Sequence, residues 1–440
     1  MFNSRRFVFF VFCCVLSLRV LYSQSLWQRV DSVVESAVDA GVVPGAVLCV
    51  VHSDEIVHLR AFGYRQVYPV KKLMESNTIF DLASLSKPVG TAMAVMKLID
   101  DGRLSLEDSV SKYIPGFNDS VKVAHLLTHI SGLPAYANAS MLEEKYGSPA
   151  PDSLMAHISM LSHGRAQGEF RYSCLNFITL QHIVEVVSGM SLKEFYEVNI
   201  AQPMGLYNTC YCPPKEWLSR IAPTENIKVG RREYRLLHGE VHDPLARVMN
   251  AGNSGNAGLF SNANDLAKVC MFLMHPEKHS GPFSAKTVKL MTTVPEEYKE
   301  SGRTYGWDSQ SDYNAPLGSF FTEQSYSHSG YTGTSIAIDP VRDVAVILLT
   351  NRVHPKDKGS VNPLRRMVAD EVSLVYALPD SSMHYVRRFP TDVQPASPQR
   401  HRPPRSVLYF PEPTKANKAF FVDEKTYKYL RKKKYKVPQI

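Results

Sequence analysis

Two apolar, β-branched stretches stand near opposite ends of this 440-residue chain, and neither is long enough to be stable alone. The first, AVLCVVHSDEIVHLRAFG, reads as two strands around a polar turn at Ser53–Glu55. The second, TSIAIDP with DVAVILLTN, reads as two more around the turn Pro340–Arg342. A lone two-stranded hairpin is marginal in water, so the early and late strands are expected to pair in one sheet. What lies between them is then an insertion. From about 102 to 270 that insertion is mostly helical in pattern, as in NFITLQHIVEVVSGMSLKEFYE, with a Gly/Asn-rich stretch NAGNSGNAGLFS. A helical run (Leu26, Val30, Val33, Val34, Ala37, Val38) ends at Gly41 and Pro44, and PLRRMVADEVSLVYAL closes the body. The expected fold is α/β of the α+β type: an antiparallel sheet flanked by helices (about 24–101 and 275–378) with a mostly helical inserted domain.

Charge separates the ends from the body. The net charge is +8, yet residues 381–440 alone hold 14 Lys/Arg against 4 Asp/Glu, so the remainder is close to neutral. The body is therefore not a polyanion binder, and no nucleic-acid partner is expected. The basic, proline-rich stretch 379–440 lacks periodicity and reads as a disordered tail. Arg5 and Arg6 precede an apolar run from Phe7 to Leu18, too short to span a bilayer comfortably. Residues 1–23 are read as a signal peptide or an N-terminal membrane anchor, which places the protein outside the cytoplasm, in the periplasm or at the inner membrane. Of seven cysteines, two fall in this leader. The other five are an odd number, which argues against a complete disulfide framework.

The chemistry centres on FDLASLSKPVGTAM. Ser84 and Lys87 are three apart, so on a helix they share one face about a turn from each other. A serine hydroxyl needs a base within hydrogen-bond reach to act as a nucleophile, and the lysine is placed to be one. Pro88 is tolerable only near a helix start, which puts Ser84 at or just before it. Ser109 and Lys112 repeat the spacing, so the motif alone is not specific. A second proton mover is available at Tyr172 in FRYSCLNF, with Tyr136-Ala-Asn138 as a rival. His328, Ser329 and Gly330 precede a strand, where a substrate backbone could lie along the edge.

Taken together, these segments resemble the serine β-lactamase and penicillin-binding-protein superfamily, in its class C-like branch of β-lactamases, D-alanyl-D-alanine peptidases and esterases. The resemblance runs from about 27 to 378 and also rests on HLLTHISGLP, GEVHDPLARVMNAGNSGNAGLFSNANDLAK, YGWD and HSGYTGTS. It implies a β-lactamase/transpeptidase-like fold, Ser84 as the acylated nucleophile, Lys87 as its base and Tyr172 as the second-motif tyrosine. His328-Ser329-Gly330 would stand where many members have Lys-Thr-Gly, and the Ser84 and Tyr331 N–H groups would form the oxyanion hole. One departure is Cys174, where the second motif usually has asparagine. A thiol is a weak donor, so substrate affinity is in question. Asn176 is not promoted to its replacement.

A zinc reading of HGEVHD (His238, Glu240, His242, Asp243) fails on order, H-x-E-x-H instead of the helical H-E-x-x-H. Neither metal nor cofactor is expected. The resemblance implies an exported serine hydrolase that takes a peptidoglycan stem peptide or a small ester or amide, with β-lactams as inhibitors or slow substrates. The alternatives are a small-acyl esterase and a non-catalytic wall-peptide or penicillin-binding module.

Overall fold

A computed structural model describes residues 27–376, except 166, 310 and 312–315. The expected leader and tail therefore lie outside the described residues. In chain order the strands are β1 (Gly45–His52), β2 (Glu55–Gln66), β3 (Lys72–Leu73), β4 (Phe80–Asp81), β5 (Cys210–Tyr211) and β6 (Asn226–Lys228). They continue with β7 (Tyr234–Leu236), β8 (Leu259–Ser261), β9 (Tyr326–Ser329), β10 (Ser335–Asp339) and β11 (Val344–Thr350). Among the described residues the main sheet has six strands in the order β3-β2-β1-β11-β10-β9. Its centre is the antiparallel seam of β1 with β11, running from Ala46 opposite Thr350 to His52 opposite Val344. The early and late strands thus pair as the sequence predicts.

Both seam strands are buried on both faces, which explains their near-continuous apolar sequence. Alternate side chains go opposite ways. Ala46, Leu48, Val50, Val344, Val346 and Leu348 meet the helices 27–39 and Asn362–Val375 through residues such as Val34 and Val368. Val47, Cys49, Val51, Ala345, Ile347 and Leu349 face the larger core that the inserted region builds. The helix Ala263–Met274 packs on β1 and β11, so the last part of the predicted insertion belongs to the sheet's own cover. Two small sheets, β4-β8-β5 and β6-β7, lie within or beside the helical region. No described helix is long and apolar enough to cross a membrane.

Ser84 sits in a tight turn, Ala83–Leu85, between β4 and the helix that follows. The helix starts as a wide π-type turn over Lys87–Ala92 and settles into α geometry at Met93–Asp100. Pro88 is at its first turn, where a missing N–H costs least. On the other side, Gly330 follows β9 against this turn. A Cβ there would lie 2.2 Å from the Leu82 carbonyl oxygen, so only glycine lets the edge of the sheet approach Ser84.

Because the seam is covered on both faces, Ile347→Ala and Leu348→Ala should each cost about 2–5 kcal/mol despite facing opposite cores. Denaturant unfolding of the two variants measures this. A loss confined to one of them would show that one layer does not contribute to the cooperative unit.

Candidate active site

The Ser84 turn is fixed from three sides. Asp81 is buried, and its carboxylate accepts the Ala83 N–H (2.8 Å) and the His242 N–H (2.6 Å). Burial raises the Asp81 pKa above the usual carboxylate value, with the two N–H donors opposing that rise. Ala83 takes the left-handed backbone region at φ 47°, a strained setting for a residue with a Cβ. The Thr332 and Thr334 hydroxyls donate to the Asp81 and Leu82 carbonyls at 2.8 and 2.9 Å. Leu82 N–H reaches Leu259 O, and Leu259 N–H returns to Ser86 Oγ, both at 3.0 Å.

Lys87 is fully buried behind the serine. Its Nζ donates to Ser84 Oγ (3.0 Å) and to the Asn256 carbonyl (2.8 Å), and lies 5.1 Å from the Tyr172 ring centroid. A side-chain hydrogen bond also links Lys87 and Tyr172. Burial disfavours the ammonium, but the contacts with Cys174 and Tyr172 favour it by more, so the Lys87 pKa stands above the ordinary lysine value. At rest Lys87 carries its charge.

Tyr172 comes from the loop before the helix Cys174–Ser188, whose N-cap Ser173 accepts the Leu175 N–H and donates to Pro134 O (2.6 Å). Its ring rests near His129 (4.5 Å between centroids) and under the buried Arg303 guanidinium (5.8 Å). Arg303 pairs with Asp308 at 3.0 Å. The rival tyrosine lines the same cleft, but its hydroxyl is engaged with other groups. Tyr136 donates to Asp243 (3.1 Å) and accepts the Leu245 N–H, while Asn138 caps the helix Ala139–Tyr146. Burial and Asp243 raise the Tyr136 pKa, so it stays a phenol.

Cys174 opens into the cleft beside Lys87 and Asn256. Burial pushes its thiol pKa up and Lys87 pulls it back only in part, so it is a thiol at neutral pH. Asn176 lies deeper, accepting from Ser131 Oγ (2.6 Å) and donating to His129 Nδ1 (3.2 Å). It braces the core instead of reaching the cleft.

The cleft in front of Ser84 has a volume of about 900 Å³. Ser84, Tyr172, Cys174, Ser329, Gly330 and Tyr331 line its catalytic end, and Glu225, Asp243, Arg352 and Arg366 line its outer walls. The structure therefore gathers the expected residues at one place, except His328. His328 is 3% exposed and lies behind the strand edge, its Nδ1 3.1 Å from Ser329 O. Burial first, then Arg303 and Lys87, drive its pKa well below the usual histidine value, so it offers no cation to a substrate.

Residues the sequence did not single out complete the site. Asn256 lies in the Gly/Asn-rich stretch, whose role is to bring a backbone carbonyl to Lys87. Asp81 and Arg303 carried no motif, because their importance is burial, which spacing does not encode. Ser109 and Lys112, the second S-x-x-K, bond to Asp119 O and to Asp108 away from this cleft. The HGEVHD residues diverge: His238 meets Ile221 O, Glu240 meets Arg235, and His242 meets Glu225.

His129 is fully buried, and its Nδ1 accepts both the Ser173 N–H (3.1 Å) and Asn176 Nδ2, which requires the unprotonated nitrogen. Like His328, its pKa is driven well down, by burial first and then by Arg303 and Lys87. Unfolding frees both rings to protonate near pH 6.5, so the stability they confer is complete above that pH and is lost as pH falls below it. The loss should be on the order of 1 kcal/mol per histidine per pH unit just below 6.5. Chemical denaturation at pH 7.5 and 5.5 reads it, and His129→Gln should flatten the dependence. An unchanged slope would mean that other groups set it.

Comparison with known proteins places this site in context. The family model described as Beta-lactamase matches residues 30–370. A Salmonella gallinarum protein described as "Putative D-alanyl-D-alanine carboxypeptidase" is 30% identical over 373 residues, covering 78% of this chain and 86% of that one. The octameric penicillin-binding protein homologue from Pyrococcus abyssi superposes with a TM-score of 0.56 at 26% identity, over 74% of this chain and 73% of that one. A class C β-lactamase gives a TM-score of 0.63 at 19% identity, over 79% and 95% of the two chains, a likeness of fold. The family match spans both halves of the sheet and the whole of the cleft described above, and the chain belongs to the β-lactamase family.

Proposed function

We propose that this protein is an exported serine hydrolase that works through an acyl-enzyme on Ser84, with D-alanyl-D-alanine peptides as its substrate class. The observation that carries the reading is the Lys87 Nζ contact with Ser84 Oγ at the floor of an open cleft. A buried cation whose hydrogen bonds include a cleft-facing hydroxyl has a chemical use for it. The carboxypeptidase-like substrate draws on the Salmonella relative, and export on the leader-like first residues.

In this mechanism Ser84 Oγ attacks the substrate carbonyl carbon while its proton passes to the Lys87–Tyr172 pair. The carbonyl π electrons move to oxygen, where the Ser84 and Tyr331 N–H groups hold the oxyanion. Collapse expels the leaving amine or alkoxide, which takes the proton back from the pair. Water then attacks the acyl-Ser84 ester by the same route and releases the acid. The second reading is a small-acyl esterase. Cys174 favours it, because a thiol gives a peptide substrate no amide donor at that wall.

Incubation of the full chain with a penicillin, followed by intact-mass spectrometry, should give a covalent adduct that disappears in Ser84→Ala. Labelling by a fluorophosphonate at Ser84 without a penicillin adduct would move the assignment to the esterase. No labelling by either reagent would leave a binding module.

The charged resting state of Lys87 adds a pH prediction. Lys87 accepts the Ser84 proton only as the free amine, and that form is scarce at neutrality because the Lys87 pKa is raised. Acylation should therefore accelerate about tenfold per pH unit between pH 7 and 9. A rate that is flat across this range would show that the base is already free at neutral pH.

A further inference from the structure

The peptide unit that carries the Tyr331 N–H is gripped by its carbonyl end. Arg365 Nη2 donates to Gly330 O (2.7 Å) and also to Thr334 O (2.9 Å), and the Gly333 N–H is a second donor to Gly330 O at 3.1 Å. Arg365 is itself anchored, its Nη1 donating to Asn362 Oδ1 at 2.7 Å on the same helix. It is 6% exposed, at the wall of the cleft. The next carbonyl along, Tyr331 O, is held by Arg352 Nη2 (2.7 Å) and Nε (3.2 Å). Arg352 in turn is fixed by Asp357 (2.7 Å) and Gly359 O (3.1 Å).

A peptide is planar, and in its trans form the C=O and N–H point in opposite directions. Holding Gly330 O from the Asn362–Val375 helix therefore aims the Tyr331 N–H away from that helix. Gly330 lies against Leu82, two residues before Ser84, with no room for a side chain between them, and Thr334 Oγ1 locks the same contact. Gly330, Tyr331 and Ser84 line one cleft. A rotation of this peptide would move the N–H without disturbing Ser84, Lys87 or Tyr172.

We infer that Arg365 is a positioning residue for catalysis: it sets the direction of the Tyr331 N–H, and so the strength of the oxyanion hole, by fixing the Gly330 carbonyl from the Asn362–Val375 helix. Arg352 restrains the other side of Tyr331 in the same way. The inference rests on the reading of Ser84 as nucleophile and Tyr331 N–H as oxyanion donor.

The test compares hydrolysis of p-nitrophenyl acetate with that of the matching thionoester, whose sulfur accepts hydrogen bonds poorly. Complete loss of one oxyanion donor costs about 10²–10³ in kcat, so Arg365→Met should lower kcat on the oxoester about ten- to a hundredfold. KM should stay within about twofold, and the thionoester rate should fall much less, so the oxo/thiono rate ratio collapses. Arg365→Lys, which reaches one carbonyl but not both, should fall between wild type and Arg365→Met. If Arg365→Met does not fold, the Lys variant and Asn362→Ala, which frees the guanidinium from its anchor, are judged by the same ratio. An unchanged kcat, or equal losses on both esters, overturns the positioning role while the Ser84 adduct is still formed. Absence of that adduct, with neither ester hydrolysed by the wild type, overturns the underlying reading and the inference with it.

Discussion

A buried ammonium ion organises this molecule. Lys87 has no exposure to solvent, and an unpaired charge there would cost several kcal/mol. Its partners come from separate places in the chain: Ser84 on its own turn, Asn256 from the Gly/Asn-rich loop, and Tyr172 from the start of the Cys174–Ser188 helix. Each is useful to Lys87 only if the element behind it is docked. The inserted helical region and the sheet are thus obliged to meet at one point, and the cleft is the space left on the solvent side of that meeting.

The surroundings keep the charge pattern simple. Two cations, Lys87 and Arg303, lie within about 6 Å of the Tyr172 ring. The imidazoles packed nearby, His129 and His328, are held neutral by burial and by those same cations. Positive charge therefore stays at the lysine and the arginine instead of spreading over four groups. The Cys174 thiol, also neutral, adds bulk beside the lysine without adding an anion.

Much of this was legible in the sequence, for reasons that differ between the parts. The β1–β11 seam is buried on both faces, so its residues had to be apolar without a break, and that pattern is visible at any distance along the chain. Ser84 and Lys87 were visible because one helical turn joins them. Tyr172 was harder to choose over Tyr136, since both precede helices. What separates them is three-dimensional: one ring faces Lys87, and the other hydroxyl is spent on Asp243. Asp81, Asn256 and Arg365 were not legible as site residues. Asp81 and Arg365 act by holding backbone groups and Asn256 by offering its own carbonyl, and no local spacing records which carbonyl or N–H a side chain will hold. His328 was legible as part of a motif, but its burial and loss of charge were not.

The seam between β1 and β11 also has a consequence in time. A ribosome makes β1 early and β11 only after almost the whole body has been synthesised, so β1 spends most of that interval paired on one side alone. Closing the sheet means joining segments at opposite ends of the domain, the kind of contact whose loop-closure entropy must be met before any pairing energy is gained. This central strand is apolar almost throughout, and one of its two edges waits until the end of synthesis for its neighbour. The helix 27–39 and the β1–β2 hairpin give it local shelter during that wait. The domain is consequently completed from its last segment, and a chain cut short before residue 344 lacks the strand that lies at the middle of the sheet.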